Sequence, residues 1–296
     1  MITRVTQATI FRQLQSNITD LQRQILDAQN EVSSQKKLNQ PSDDPAGAAL
    51  VNNLNGETSQ LNAYQSGVTF GTAVLGSEDG ALSQATNIMT RAKEIATEQA
   101  NGTTSAANRQ SASEEVAQLE QEMLSLGNTT IAGRYVFGGL ASGSAPFASL
   151  TDPGFNASTA YSGPSQPFSI QIATNQTIRL TTPGDQVFGS SIVALDNLRQ
   201  TLAAGNDPTA NIDQLNTAAQ DISNELSSVG ARANTLSDRG SQITSRLTDV
   251  QQQSSSVEDA DMAQSISLLV QLENALQATL ASGQTLNTSI LDLVQL

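Results

Sequence analysis

Three groups of residues have types and spacing that could do chemistry. Asp43 and Asp44 set two carboxylates side by side, as in a hard-cation ligand pair or a paired general acid and base. Gly138-Gly139 has the backbone freedom of a phosphate-cradling loop, and Ser254-Ser255-Ser256 offers hydroxyl nucleophiles. Each group lacks what its chemistry requires. No further carboxylate follows the aspartates at calcium-loop spacing, and no Gly-Lys-Ser/Thr follows the glycines. The 296 residues include no His and no Cys, which removes the commonest general base near neutral pH, the thiolate nucleophile and the usual zinc ligands. The expectation is a capped turn at Asp43-Asp44, a turn at Gly138 and a solvated hinge at the serines. No catalytic constellation, cofactor or metal site is expected, so the chain reads as a structural protein and not an enzyme.

Composition narrows the partners. A net charge of -14 with only 14 basic residues argues against nucleic acid, because phosphate neutralisation needs clustered Lys and Arg. Nowhere do 18 apolar residues run together, so no membrane insertion is expected. The opening MITRVTQATIFRQLQ has no continuous apolar stretch with a small-residue cleavage site, so no cleaved signal peptide is expected either. Aromatic residues make up 3% and Trp is absent, which leaves Leu, Ile, Val and Ala to fill narrow helical seams.

Those seams are legible at both ends of the chain. Leu14, Ile18, Leu21, Ile25, Ala28 and Val32 alternate four- and three-residue steps, the spacing that keeps one face of a helix apolar. Met262, Ile266, Leu269, Leu276, Leu280, Ile290 and Val294 form a similar stripe near the other end, with Leu293 beside it. Residues 1–40 carry five basic and three acidic groups, whereas residues 256–296 carry five acidic and no basic ones. Opposite charge favours pairing of the N-terminal helix with the C-terminal one, although the apolar seam supplies most of the stability.

Between the ends, the spacing predicts a helix to about residue 38, closed by Lys36-Lys37 at its negative pole. A second start follows, with Asp44 as N-cap and Pro45 in the first turn. Helical periodicity continues to about residue 127, with weak points expected at Gly71 and Glu78, where the seam is small or polar. From 129 to 189 Gly, Pro, Ser and Thr rise, and strands are expected at 135–137, 168–172 and 177–180, the last two forming a hairpin. A short helix around Ile192 to Leu202 precedes a strict heptad run from Ile212 to Val250, about 60 Å of helix at 1.5 Å per residue. The fold class is therefore mainly α with a β-rich insertion. Its expected parts are the N-terminal coiled-coil helix (1–40), a helical rod in two pieces (41–128 and 190–255), a small β domain (129–189) and the C-terminal coiled-coil helix (256–296).

Two segments carry a family resemblance. Asn39-Gln40-Pro41-Ser42-Asp43-Asp44-Pro45-Ala46-Gly47-Ala48-Ala49 resembles the segment of bacterial flagellins and their relatives where the terminal helix joins the next. Glu258-Asp259-Ala260-Asp261-Met262-Ala263 is similar to the acidic start of their C-terminal helix. Within that superfamily, residues 133–139, Pro146-Phe147, residues 184–188 and Ser289-Ile290-Leu291-Asp292-Leu293 look most like the members that join hook to filament. Ala281-Ser282-Gly283-Gln284-Thr285 departs from the Ala-Asn-Gln-rich ending of flagellins proper, which stand as the alternative.

The resemblance implies a flagellar structural subunit exported unfolded by a type III apparatus, with an export chaperone, and located outside the cell. It implies self-assembly into a ring or short helical layer, with a hook-associated protein on the hook side and flagellin on the filament side. The terminal helices would line an inner tube and the central domain would face outward. The expected assembly contacts are Leu14, Ile18, Leu21, Ile25, Val32, Ile266, Leu269, Leu276, Leu280, Ile290 and Leu293. Alone, such a helix pair exposes much apolar surface, so both ends are expected to order on assembly.

Overall fold

The structure, a computed structural model, describes the backbone of residues 2–294 and the side chains of residues 9–284. Six helices dominate: α1 (Ile2–Ser34), α2 (Pro45–Gln99), α3 (Ala106–Gly127), α4 (Gly184–Ala203), α5 (Ile212–Glu258) and α6 (Met262–Val294). Four short strands lie between α3 and α4: β1 (Thr130–Ile131), β2 (Arg134–Tyr135), β3 (Ser169–Ala173) and β4 (Gln176–Arg179). The chain divides into two compact units, one made of residues 1–60 and 246–296, the other of residues 61–245.

In the first unit α1 and α6 pair antiparallel. Leu14 meets Gly283, Glu31 accepts a hydrogen bond from Ser265 Oγ at 2.9 Å, and Lys36 bridges to Asp259. On α1 the heptad reads as anticipated: Ile25 and Ala28 are buried, while Leu14, Ile18, Leu21 and Val32 are half-buried. Helix α1 ends at Ser34, earlier than expected, because Gln35 turns left-handed at φ 59°. Lys36 and Lys37 therefore lie beyond the helix. The Lys37 N–H instead donates to Glu258 O at 2.7 Å, and the Ala260 N–H donates to Gln35 O at 3.0 Å. The predicted start of α2 is as read. Asp44 Oδ1 accepts the Ala46 N–H at 3.1 Å, and Pro45 opens the helix.

The expected hinge at the Gln-Ser tract is a correction, since α5 runs through it unbroken to Glu258. Ser256 Oγ donates to Gln253 O at 2.8 Å and Ser255 Oγ bonds Asp259, so the hydroxyls bond within the helix and its end rather than breaking it. The break comes at Asp259-Ala260, after which Asp261 caps α6 by accepting the Ala263 N–H at 3.0 Å.

In the second unit, α3 and α4 pack together. Arg91 of α2 pairs with Glu115 of α3, and Ser190 of α4 bonds Asp221 of α5. The segment between α3 and α4 holds less strand than expected. Strands β1 and β2 pair across Ala132-Gly133, both at positive φ (49° and 76°), the backbone of a tight primed turn. Val136 and Phe137 do not continue β2. Successive strand residues face opposite ways, and here both are buried, Phe137 stacking edge-on against Phe188 with centroids 4.8 Å apart. The hairpin of β3 and β4 is as predicted, turning at Asn175 (φ 59°) with a bulge between Gln171 and Ala173.

Helix α4 starts at Gly184, five residues before the expected edge of the insertion. Phe147 packs against this start: its ring lies where Cβ atoms on Gly127 and Gly184 would fall, each 2.5 Å away, so both positions need glycine. Phe147 also contacts Tyr161 and Phe188. Phe137, Phe147, Tyr161 and Phe188 thus make one local aromatic cluster.

The two anticipated weak points in α2 are tight joints. Gly71 lets Leu180 and Leu236 approach to 2.8 Å of where its Cβ would stand. Glu78, with no exposed surface, is held by Arg232 and by the Thr182 N–H.

Candidate assembly interface

The sequence-predicted contact residues fall into two sets. The α1 seam faces α6, as described above. On α6 the buried or half-buried residues include Met262, Ser265, Leu269, Leu272, Leu276, Thr279 and Gly283, which alternate three- and four-residue steps, with Ala275 half-buried beside them. Leu269 and Leu276 belong to that seam. Ile266 and Leu280 do not, and they are 48% and 46% exposed. The side chains of Ile290 and Leu293 lie outside the described residues.

The seam is turned towards a side of α6 that carries Ser, Thr and Gly beside the leucines. A stripe drawn through the largest apolar residues passes beside it. Small residues serve the pairing physically: Ser265 is nearly buried, and Gly283 leaves room for Leu14. The register that joins Leu14 to Gly283 and Glu31 to Ser265 sets Leu21 level with Leu276 and Ile25 level with Leu272.

What remains exposed is apolar to a degree that needs a reason. Large apolar side chains more than two-fifths exposed include Ile10, Phe11 and Leu26 on α1, Leu50 on α2, and Ile266, Leu268, Val270 and Leu280 on α6. All belong to the first unit, whereas among the described residues of the second unit only Leu140 is comparable. Ile10, Phe11, Leu26, Leu50, Leu268 and Val270 escaped the heptad reading because they lie off the seam. The signal that finds them is excess apolar content on the remaining faces of a long helix.

Electrostatics at the joint follow the charge asymmetry of the two ends. Lys36 Nζ pairs with Glu258 Oε1 at 2.5 Å, and this hydrogen bond holds the Lys36 pKa above its ordinary value. Asp43 Oδ2 accepts the backbone N–H groups of Asn39 and Gln40 at 3.1 and 2.8 Å. A Cβ on Gly47 would strike Asp44 Oδ2 at 2.5 Å, which accounts for glycine in the first turn of α2. The two carboxylates are thus engaged in shaping the turn. Among the described residues no group of three or more acidic side chains stands placed to hold a metal ion.

The site is thus a pair of terminal helices with an apolar surface beyond their seam and a capped acidic turn. Residues 5–141 match the bacterial flagellin N-terminal helical region. The chain is homologous to flagellar hook-associated protein 3. The Escherichia coli protein of that name is 26% identical over 300 residues, covering 91% of this chain and 92% of its own. The crystal structure of the flagellar junction protein FlgL from Legionella pneumophila shares the fold, with a TM-score of 0.54 and 15% identity, covering 64% of this chain and 99% of that one. Flagellin A of Vibrio anguillarum is 32% identical over 102 residues, 34% of this chain and 27% of that protein. These relatives are flagellar proteins by name, which supports a flagellar location for this chain.

Proposed function

We propose that this chain is the adaptor between flagellar hook and filament, assembling through its terminal helices. The observation that carries this reading is the extent of the likeness. The Escherichia coli hook-associated protein 3 aligns along nearly the whole of both chains, and Vibrio anguillarum flagellin A along about a third of this one. Copies form a ring or short helical layer, with a hook-associated protein on the hook side and flagellin on the filament side. Residues 1–40 and 256–296 line the inner tube, and residues 129–189 face outward.

The α1 and α6 seams hold each copy's ends together. Ile266 and Leu280, with Ile10, Phe11, Leu26, Leu268 and Val270, meet neighbouring subunits. The subunit is exported by the flagellar type III route with a chaperone and acts outside the cell as a structural part without catalysis.

Deleting the gene tests the role. Intact hooks that leak flagellin into the medium are the expected result. Loss of filaments with junction proteins still bound to the hooks, or bulk polymerisation of the purified chain, would instead identify a filament subunit.

A further inference from the structure

Glu78 on α2 is fully enclosed, and its partners come from two other elements. Thr182, just beyond β4, donates its backbone N–H to Glu78 Oε1 at 2.9 Å and its hydroxyl to Glu225 Oε1 on α5 at 2.5 Å. Arg232 of α5 reaches Glu225 Oε1 at 2.5 Å and Glu78 Oε2 at 3.4 Å through Nη2. Its Nη1 reaches Thr182 Oγ1 at 3.3 Å and Leu180 O at 3.5 Å. Arg179 on β4 adds a further attraction on Glu78. Two carboxylates therefore share one close guanidinium, with Glu78 fully enclosed and Glu225 and Arg232 only 16% and 11% exposed, and with both ionised this trio keeps an uncompensated negative charge.

We propose that this cluster is a proton-controlled latch, in which a proton taken up by Glu78 tightens the hold of α2 and α5 on the end of the β3–β4 hairpin and its release loosens it. The proton comes from solvent and adds to the Glu78 carboxylate, leaving Glu225 and Arg232 as a neutral pair. Burial pushes the Glu78 pKa up from 4.5 to about 7, against the pull of Arg232 and of the Thr182 N–H and with a small push from Glu225. The folded state therefore binds this proton more tightly than the unfolded chain. The stabilisation is complete below about pH 4.5 and is lost as pH rises through about 7. With no His in the chain, few other groups titrate in that window. Glu120, whose pKa burial also raises, serves as the control.

Two measurements on the full chain test the latch. The first follows the Glu78 side-chain carboxyl by carbon NMR, with a midpoint near 7 expected, and a midpoint in the ordinary carboxylate range overturns the proposal without any variant. The second follows amide exchange at Thr182, corrected for its intrinsic pH dependence. Exchange should accelerate several-fold between pH 5.5 and 8 in the parent and in Glu120→Gln, and stay level in Glu78→Gln. Equal acceleration in Glu78→Gln overturns the latch.

Discussion

Leu14 of α1 lies so close to Gly283 of α6 that a Cβ added at Gly283 would stand 2.9 Å from Leu14 Cδ2. The contact fixes the antiparallel register of the terminal helices near their far end. The obstructing atom is the tip of a flexible side chain, so Gly283→Ala should be nearly neutral, the shift being offset by about 1 kcal/mol of helix propensity. Gly283→Leu should cost about 1–3 kcal/mol by overpacking the seam. Circular-dichroism melts of the two variants in the assembled state check the difference.

Asp44 should matter through its cap and not through its charge. Asp44→Ala is expected to destabilise the start of α2 by roughly 1 kcal/mol, while Asp44→Asn keeps an acceptor for the Ala46 N–H and changes little. Amide exchange over residues 46–50 reads the outcome directly. Equal effects of the two substitutions would contradict the capping role.

Phe147 and Gly184 form a pair that cannot be changed singly. A Cβ at Gly184 would fall 2.5 Å from Phe147 Cε2, and that ring is held by Tyr161 and Phe188. Gly184→Ala should cost about 1–3 kcal/mol in denaturant unfolding. Adding Phe147→Leu should make the double variant more stable than the sum of the single effects predicts, since it removes the clash.

Glu120 on α3 has no exposed surface and pairs with Arg199 on α4 at 2.8 Å. Removing the partner leaves a buried carboxylate alone, so Arg199→Ala should cost about 3–5 kcal/mol. Burial already raises the Glu120 pKa, and without Arg199 the neutral acid is favoured further. The loss should therefore be smaller at pH 5, where the carboxyl can take a proton, than at pH 8. Denaturant midpoints at the two pH values decide it, and an equal loss at both contradicts the explanation.

The helices were legible because their signals are local. The heptad of α1, the Asp44 cap and the strict repeat of α5 each depend on neighbours within a few residues. Asn175 marked the β3–β4 hairpin for the same reason. Less legible were features set by distant partners. The Gln-Ser tract reads as a hinge by composition, yet α5 continues through it until the bridge between Lys36 and Asp259. Val136 and Phe137 look like strand residues until Phe188 is brought beside them. Glu78 looks like a flaw in a seam until Arg232 arrives from α5.

By itself the sequence determined that both ends are helices with apolar stripes and opposite charge, and that no His or Cys is available for chemistry. Periodicity and composition carry that information without any fold. Tertiary structure alone decided which side of α6 meets α1, since α6 is apolar on more than one face and only pairing distinguishes them. Ser265, Thr279 and Gly283 turned inward because small residues let the helices approach, and Ile266 and Leu280 were left outside. The same pairing divides the apolar residues of α1 and α6 between a seam within the chain and a surface beyond it.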